Sequence, residues 1–248
     1  MKPSIEFISD FKQSGLVEHL CSEYTVVMIW LSGSNAIELT DMSSDYDLGV
    51  LVADPVIFSK EAKTTEFYRY KKDNKEVHCI YNSFDDIKAN PCEGQLAPYR
   101  HLGWAQFRYI KPENLIYINP KYEVLVTTLM NNKICISENA MNTFIQLLAP
   151  LIQVAENVHY ISAINWGKML SHLCWCIEEL RGLPHDRETL IALKRIFGRG
   201  TIQKNLPPII REYVAERLTW ARDYLKQPLD TLSEVSQLID TIIEAYGT

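Results

Sequence analysis

No two of the six cysteines form a CxxC pair, and no cysteine or histidine spacing suits a zinc ligand set. The thiols of Cys21, Cys79, Cys92, Cys135, Cys174 and Cys176 therefore read as reduced, most of them in the core. Nor is there a membrane span: the longest apolar run, VVMIWL at 26–31, is far short of the ~20 residues such a helix needs. The opening MKPSIEFISDFKQSG lacks the apolar stretch of a signal peptide, so a cytoplasmic location is expected. Basic excess is missing too. A net charge of -6 and a pI near 5.6 exclude a generally basic nucleic-acid coat and leave only a local patch for such a partner. No internal repeat, low-complexity tract or Gly/Ser linker interrupts the chain.

What is present is a chain of 248 residues, 47% apolar, enough for one large domain or two modest ones with a real core. Apolar positions from Ile5 to Leu20 follow a helical period broken around Gly15, which predicts one or two opening helices. YTVVMIWLS at 24–32 is β-branched and aromatic, a buried strand ending at Ser32, Gly33 and Ser34. YDLGVLVA at 46–53 reads as a second strand. FYRYKKDNKEVHCIYNSF at 67–84 reads as a hairpin turning at Asp73-Asn74, so at least four strands are expected. Residues 85–94 read as mixed helix and loop, and NLIYINP at 114–120 as a short edge strand closed by Pro120. From about Glu138 the apolar spacing becomes helical. Gly182 with Pro184, Gly198 and Pro228 punctuate four to five helices, with Asp186 placed to N-cap one of them.

Chemistry concentrates in SGSNAIELTDMSSDYDLGVLV, residues 32–52. Residues two apart on a strand face the same way, so Asp45 and Asp47 project together. Adjacent carboxylates repel unless they share a cation, and hard oxygen donors suit Mg²⁺, which takes one or two carboxylates together with substrate phosphates. Gly33 allows close backbone approach, and amides at a turn entering a helix, with the Ser34 hydroxyl beside them, favour a phosphate. A triphosphate is expected to lie between this turn and the metal. Ser44 is either a simple capping or turn residue or a further donor to a phosphate.

Gly33-Ser34, ten residues, then Asp45-Tyr46-Asp47-Leu48 resembles the signature of the DNA polymerase beta-like nucleotidyltransferase superfamily. In wording the stretch is similar to the small nucleotidyltransferases of bacteria and their phages. The resemblance implies an α+β protein: a nucleotidyltransferase-type mixed β-sheet domain with flanking helices over 1–137, then an all-helical cleft-closing bundle over 138–248. It implies transfer of an NMP from an NTP, with ATP the first choice, to an RNA end, a protein side chain or a small molecule, using Mg²⁺ or Mn²⁺. Asp45 and Asp47 would hold the metal, and Gly33 and Ser34 the triphosphate. A third carboxylate is expected from KEVHCIY, where Glu76, His78 and Ile80 share a face. Glu76 is the choice there, with His78 as its possible substitute and Asp85 and Asp86 as alternatives. Many relatives carry a glycine shortly after the Gly-Ser turn, where this chain has Glu38-Leu39.

In the helical half, Lys168 and His172 share one helix face. The resemblance gives Lys168 a place against the triphosphate, whereas His172 and Trp175 read as core. Between Thr189 and Arg211 stand five basic residues (Lys194, Arg195, Arg199, Lys204 and Arg211) and no acidic one. This run reads first as a solvated helix face and second as a contact for RNA phosphates. A non-catalytic relative, keeping the fold as a nucleotide sensor, antitoxin or partner-binding module, is the second functional reading.

Overall fold

The computed structural model describes residues 3–40, 44–53, 65–70, 74–84, 107–132, 136–155, 166–196, 207–226 and 232–247. Helices α1 (Pro3–Lys12) and α2 (Leu16–Glu23) open the chain, separated by Gly15 at a φ of 75°. Strand β1 (Val26–Ser32) runs into the single helical turn α3 (Gly33–Ala36), and β2 (Tyr46–Val52) follows. Strands β3 (Thr65–Arg69) and β4 (Glu76–Ser83) form the expected antiparallel hairpin, and β5 (Leu115–Ile118) pairs with β1 at an edge. Asn74 adopts a φ of 58° in the hairpin turn, a conformation asparagine tolerates. The described strands make one mixed sheet in the order β3-β4-β2-β1-β5, antiparallel except for the β2–β4 pair.

Six further α-helices complete the described chain: α4 (Glu123–Asn131), α5 (Ile136–Ala155), α6 (Trp166–Arg181), α7 (Arg187–Ile196), α8 (Pro208–Tyr224) and α9 (Leu232–Tyr246). Their limits follow local chemistry. Gly182, at a φ of 63°, ends α6 with the Leu183 amide donating back to the Glu178 carbonyl at 2.9 Å. The Asp186 carboxylate accepts from the Thr189 amide at 3.1 Å and caps α7. Asp73, the segment 85–94 with Asp85 and Asp86, Gly198, Arg199, Lys204 and Pro228 lie outside the described residues. No helix among the described residues is long and apolar enough to cross a membrane.

The two-residue period of the strands decides what each sheet face meets. Tyr46, Leu48, Val50 and Val52 of β2 join Val77, Cys79 and Tyr81 of β4 in a core with Phe7, Phe11 and Leu20 of the opening helices. Phe7 stacks on Tyr46 with ring centroids 3.9 Å apart. The other face, represented by Met28, Trp30 and Leu51, is continuous with a core built from the later helices through Leu173, Leu190, Val214 and Ile243. Asp47 and His78 therefore lie on the face that the helical half covers.

Candidate active site

Ser32 pairs with Asp47 across the β1–β2 ladder, so the turn that leaves β1 folds back over the start of β2. Gly33 is needed there for two reasons. Its φ is 63°, a left-handed value that a side chain disfavours, and a Cβ at this position would lie 2.0 Å from Asp47 Oδ2. The missing side chain is thus what lets the Asp47 carboxylate rest against the turn. The Asn35 amide donates to the Asp45 carbonyl oxygen at 2.5 Å and ties the turn to the residue preceding β2. Beside them the Ser34 hydroxyl is buried with no hydrogen-bond partner among the described residues. A buried donor in that state takes its partner from water or a ligand.

Parallel pairing of β2 with β4 sets Asp47 level with His78. His78 Nδ1 stands 3.1 Å from Asp45 Oδ2 and 3.5 Å from Asp47 Oδ1. One ligand atom from each of Asp45, Asp47 and His78 falls within 4.8 Å of the other two, a grouping able to hold a metal ion. Glu76, the expected third carboxylate, shares the face but sits two residues earlier. Its Oε2 meets the other ring nitrogen, Nε2 of His78, at 3.3 Å. The strand register explains the difference: it carries the imidazole, not the Glu76 carboxylate, to the level of Asp47.

Cations reach the site from the helical half. Lys168 of α6 places Nζ 3.8 Å from Asp47 Oδ2. Lys194 of α7 donates to the Ser44 hydroxyl at 2.9 Å and to the Leu39 carbonyl at 3.3 Å. Arg187, at the start of α7, donates to the Glu38 carbonyl at 2.7 Å and pairs with its carboxylate at 3.3 Å. Glu38 itself has a φ of 58°, the left-handed conformation that glycine adopts most easily. Helix α7 thus clasps the connection between the Gly-Ser turn and the aspartates at two points.

Burial opposes ionisation of Asp47, yet the Lys168 charge and the His78 hydrogen bond outweigh it and hold its pKa below the ordinary carboxylate value. The hydrogen bond to Asp47 raises the pKa of His78 against a smaller opposing effect of burial. His172, one turn beyond Lys168, is fully buried with Nδ1 2.6 Å from the Tyr109 hydroxyl. Burial first, then the Arg108 charge, drives its pKa well down, so it packs as a neutral ring. Trp175 is likewise buried, stacked on His185 with centroids 5.5 Å apart. The structure therefore gathers Gly33, Ser34, Ser44, Asp45, Asp47 and Lys168 in one place, with Glu76 at its edge.

Lys194 belongs to this place as well, although composition alone groups it with the basic run. The signal that separates it is position: it lies four residues after the buried Leu190, hence on the side of α7 that faces inward. Arg195 and Arg211 of the same run are exposed.

A family model described as a nucleotidyltransferase domain matches residues 14–91, which span α2 through β4 and contain Gly33, Ser34, Asp45, Asp47, Glu76 and His78. No curated protein matches the chain at a significant level. A mixed sheet whose Gly-Ser turn abuts two aspartates on the next strand, together with this match, makes residues 14–91 a nucleotidyltransferase domain of the DNA polymerase beta-like superfamily.

Proposed function

We propose that the protein is a metal-dependent nucleotidyltransferase, acting in the cytoplasm, that moves an NMP from an NTP to an acceptor hydroxyl or phosphate and releases pyrophosphate. ATP is the first candidate donor, and an RNA end, a protein side chain and a small molecule are the candidate acceptors. The observation that carries the reading is the meeting of Asp45, Asp47 and His78 beside the Gly33–Ser34 turn, inside the matched domain.

The donor set fits a divalent ion, because acceptor oxygens from two carboxylates and an imidazole nitrogen converge on one spot. A Mg²⁺ or Mn²⁺ held by Asp45, Asp47 and His78 would supply the positive charge that phosphoryl chemistry needs. The protein's own groups would do the remaining work. The Ser34 hydroxyl would donate to the triphosphate, and Gly33 would leave the Asp47 carboxylate its place against the turn. Lys168 and Lys194 would neutralise phosphate charge from the helical side, and Ser44 would turn its hydroxyl to the ligand when Lys194 does. Asp45, 35% exposed against 9% for Asp47, would meet the acceptor and take its proton. Residues 138–248 would close over the catalytic part, 1–137, and exclude water from the transfer.

Incubation with α-labelled NTPs, Mg²⁺ or Mn²⁺ and pools of cellular RNA, protein and small molecules tests this directly. Label should appear on an acceptor and be lost in a folded Asp47→Asn variant. Absence of transfer with every pool, alongside metal-independent capture of a partner, would replace the enzyme with a binding module.

A further inference from the structure

His78 is the group in the cluster whose chemistry discriminates between metals. Its Nε2 faces the Glu76 carboxylate at 3.3 Å, and a carboxylate only accepts, so that nitrogen carries the ring proton in this contact. Its Nδ1 faces Asp45 Oδ2 at 3.1 Å and Asp47 Oδ1 at 3.5 Å, which are acceptors too. Nδ1 thus faces both aspartates, on the side where a shared cation would sit. The spacing suits a metal. Adjacent ligands of an octahedron with bonds of about 2.1 Å stand about 3.0 Å apart, which the 3.1 Å separation from Asp45 matches and the 3.5 Å separation from Asp47 exceeds. A carboxylate on the outer nitrogen of a metal-bound histidine is also a recurring arrangement, since it fixes the tautomer and raises ligand basicity.

We propose that His78 ligates through Nδ1, oriented by Glu76 as a positioning residue, and that the Asp45–Asp47–His78 site consequently selects a nitrogen-accepting divalent transition ion such as Mn²⁺ over Mg²⁺. Mg²⁺ is a hard ion that favours oxygen and dehydrates reluctantly, and replacing a third carboxylate by imidazole removes a charge that it needs. Mn²⁺ accepts the same octahedral carboxylates and tolerates the ring nitrogen. The inference rests on the nucleotidyltransferase reading only in taking this cluster as the metal site.

The test uses the full chain without nucleotide. Mn²⁺ binding is followed by electron paramagnetic resonance with Mg²⁺ as competitor, and pulsed measurements look for coupling of the bound Mn²⁺ to a histidine ¹⁴N. Mn²⁺ should bind more tightly than Mg²⁺, with the ¹⁴N coupling present. His78→Asp should abolish the coupling and narrow the preference, and Glu76→Gln should weaken Mn²⁺ by about tenfold while circular dichroism remains native. Equal affinities without ¹⁴N coupling in the unaltered protein would overturn the proposal, as would unchanged Mn²⁺ affinity in a folded His78→Ala variant. Label transfer is scored separately. Transfer with Mg²⁺ and no ¹⁴N coupling sinks this inference alone, whereas ¹⁴N coupling without any transfer sinks the proposed activity and leaves the ligand assignment standing.

Discussion

Replacing Gly33 with alanine sets a methyl group against the Asp47 carboxylate. The new Cβ would lie 2.0 Å from Oδ2, 2.9 Å from Cγ and 3.0 Å from Cβ of Asp47. Ordinary contacts are about 3.5 Å, so the carboxylate must retreat by about 1.5 Å. It has little room, because Asp47 is buried in the sheet between β1 and β4. The φ of 63° adds strain for any L side chain. Together, left-handed strain and overpacking should cost roughly 2–4 kcal/mol, which for a chain of this size lowers the melting temperature by about 5–15 °C. Displacing one ligand by more than an ångström should also reduce nucleotide transfer by about a hundredfold or more. Gly15→Ala is the control. Gly15 has a φ of 75°, but a Cβ there would meet nothing within 4 Å, so only the backbone strain of about 1 kcal/mol applies, with metal binding untouched. Differential scanning calorimetry and Mn²⁺ titration of both variants separate the two effects. The reasoning fails if Gly33→Ala melts no lower than Gly15→Ala and binds Mn²⁺ as the unaltered protein does.

The helical half gives a pH prediction. His185 lies 3.2 Å from a Glu178 oxygen and 2.8 Å from a Glu179 oxygen, and these bonds, Glu178 first, raise its pKa from 6.5 to about 9. Its contribution is complete below pH 6.5 and is lost as pH rises through about 9, so urea midpoints should fall across that window and flatten in His185→Gln. Glu178 is fully buried, and its Oε1 accepts from Tyr213 at 2.5 Å and from Arg217 at 2.6 Å. Glu178→Ala leaves both without that acceptor and should cost about 3–5 kcal/mol in denaturant unfolding; a loss under about 1 kcal/mol would contradict the network. Lys168→Ala and Lys194→Ala should each raise KM for the NTP with smaller effects on melting, which steady-state kinetics and thermal scans distinguish. Glu38→Gly relieves the strain at a φ of 58° while removing an exposed pair with Arg187, so stability should stay within about 1 kcal/mol of the unaltered protein. Glu38→Val, which is β-branched at the same φ, should lose more.

The strand, turn and aspartates were legible because each is written locally. Apolar content marks β1, small residues mark its end, and the two-residue period puts Asp45 and Asp47 on one side of the chain. The hairpin and the caps of α6 and α7 follow from Asn74, Gly182 and Asp186 in the same way. The third member of the cluster was not local information. Periodicity puts Glu76 and His78 on one face, but which of them comes level with Asp47 depends on the parallel register of two strands far apart in sequence. Helix packing hid Lys194 in the same manner: a charge run reads as solvated until the seating of α7 against α6 turns one lysine towards Ser44. Lys168 and His172 share a face yet differ in depth: the His172 ring is fully buried against the Tyr109 hydroxyl, whereas the Lys168 side chain stays 25% exposed. Glu38 conceals a glycine-like conformation that Arg187 stabilises from another helix.

Calorimetric titration of a non-hydrolysable NTP into the unaltered protein and into Asp47→Asn, each with Mn²⁺ and with a chelator, most directly probes whether Asp45 and Asp47 hold a divalent ion against a nucleotide at the Gly33–Ser34 turn. Binding should require the metal and disappear in the folded variant. Equal binding with the chelator present, or full binding by Asp47→Asn, would contradict it.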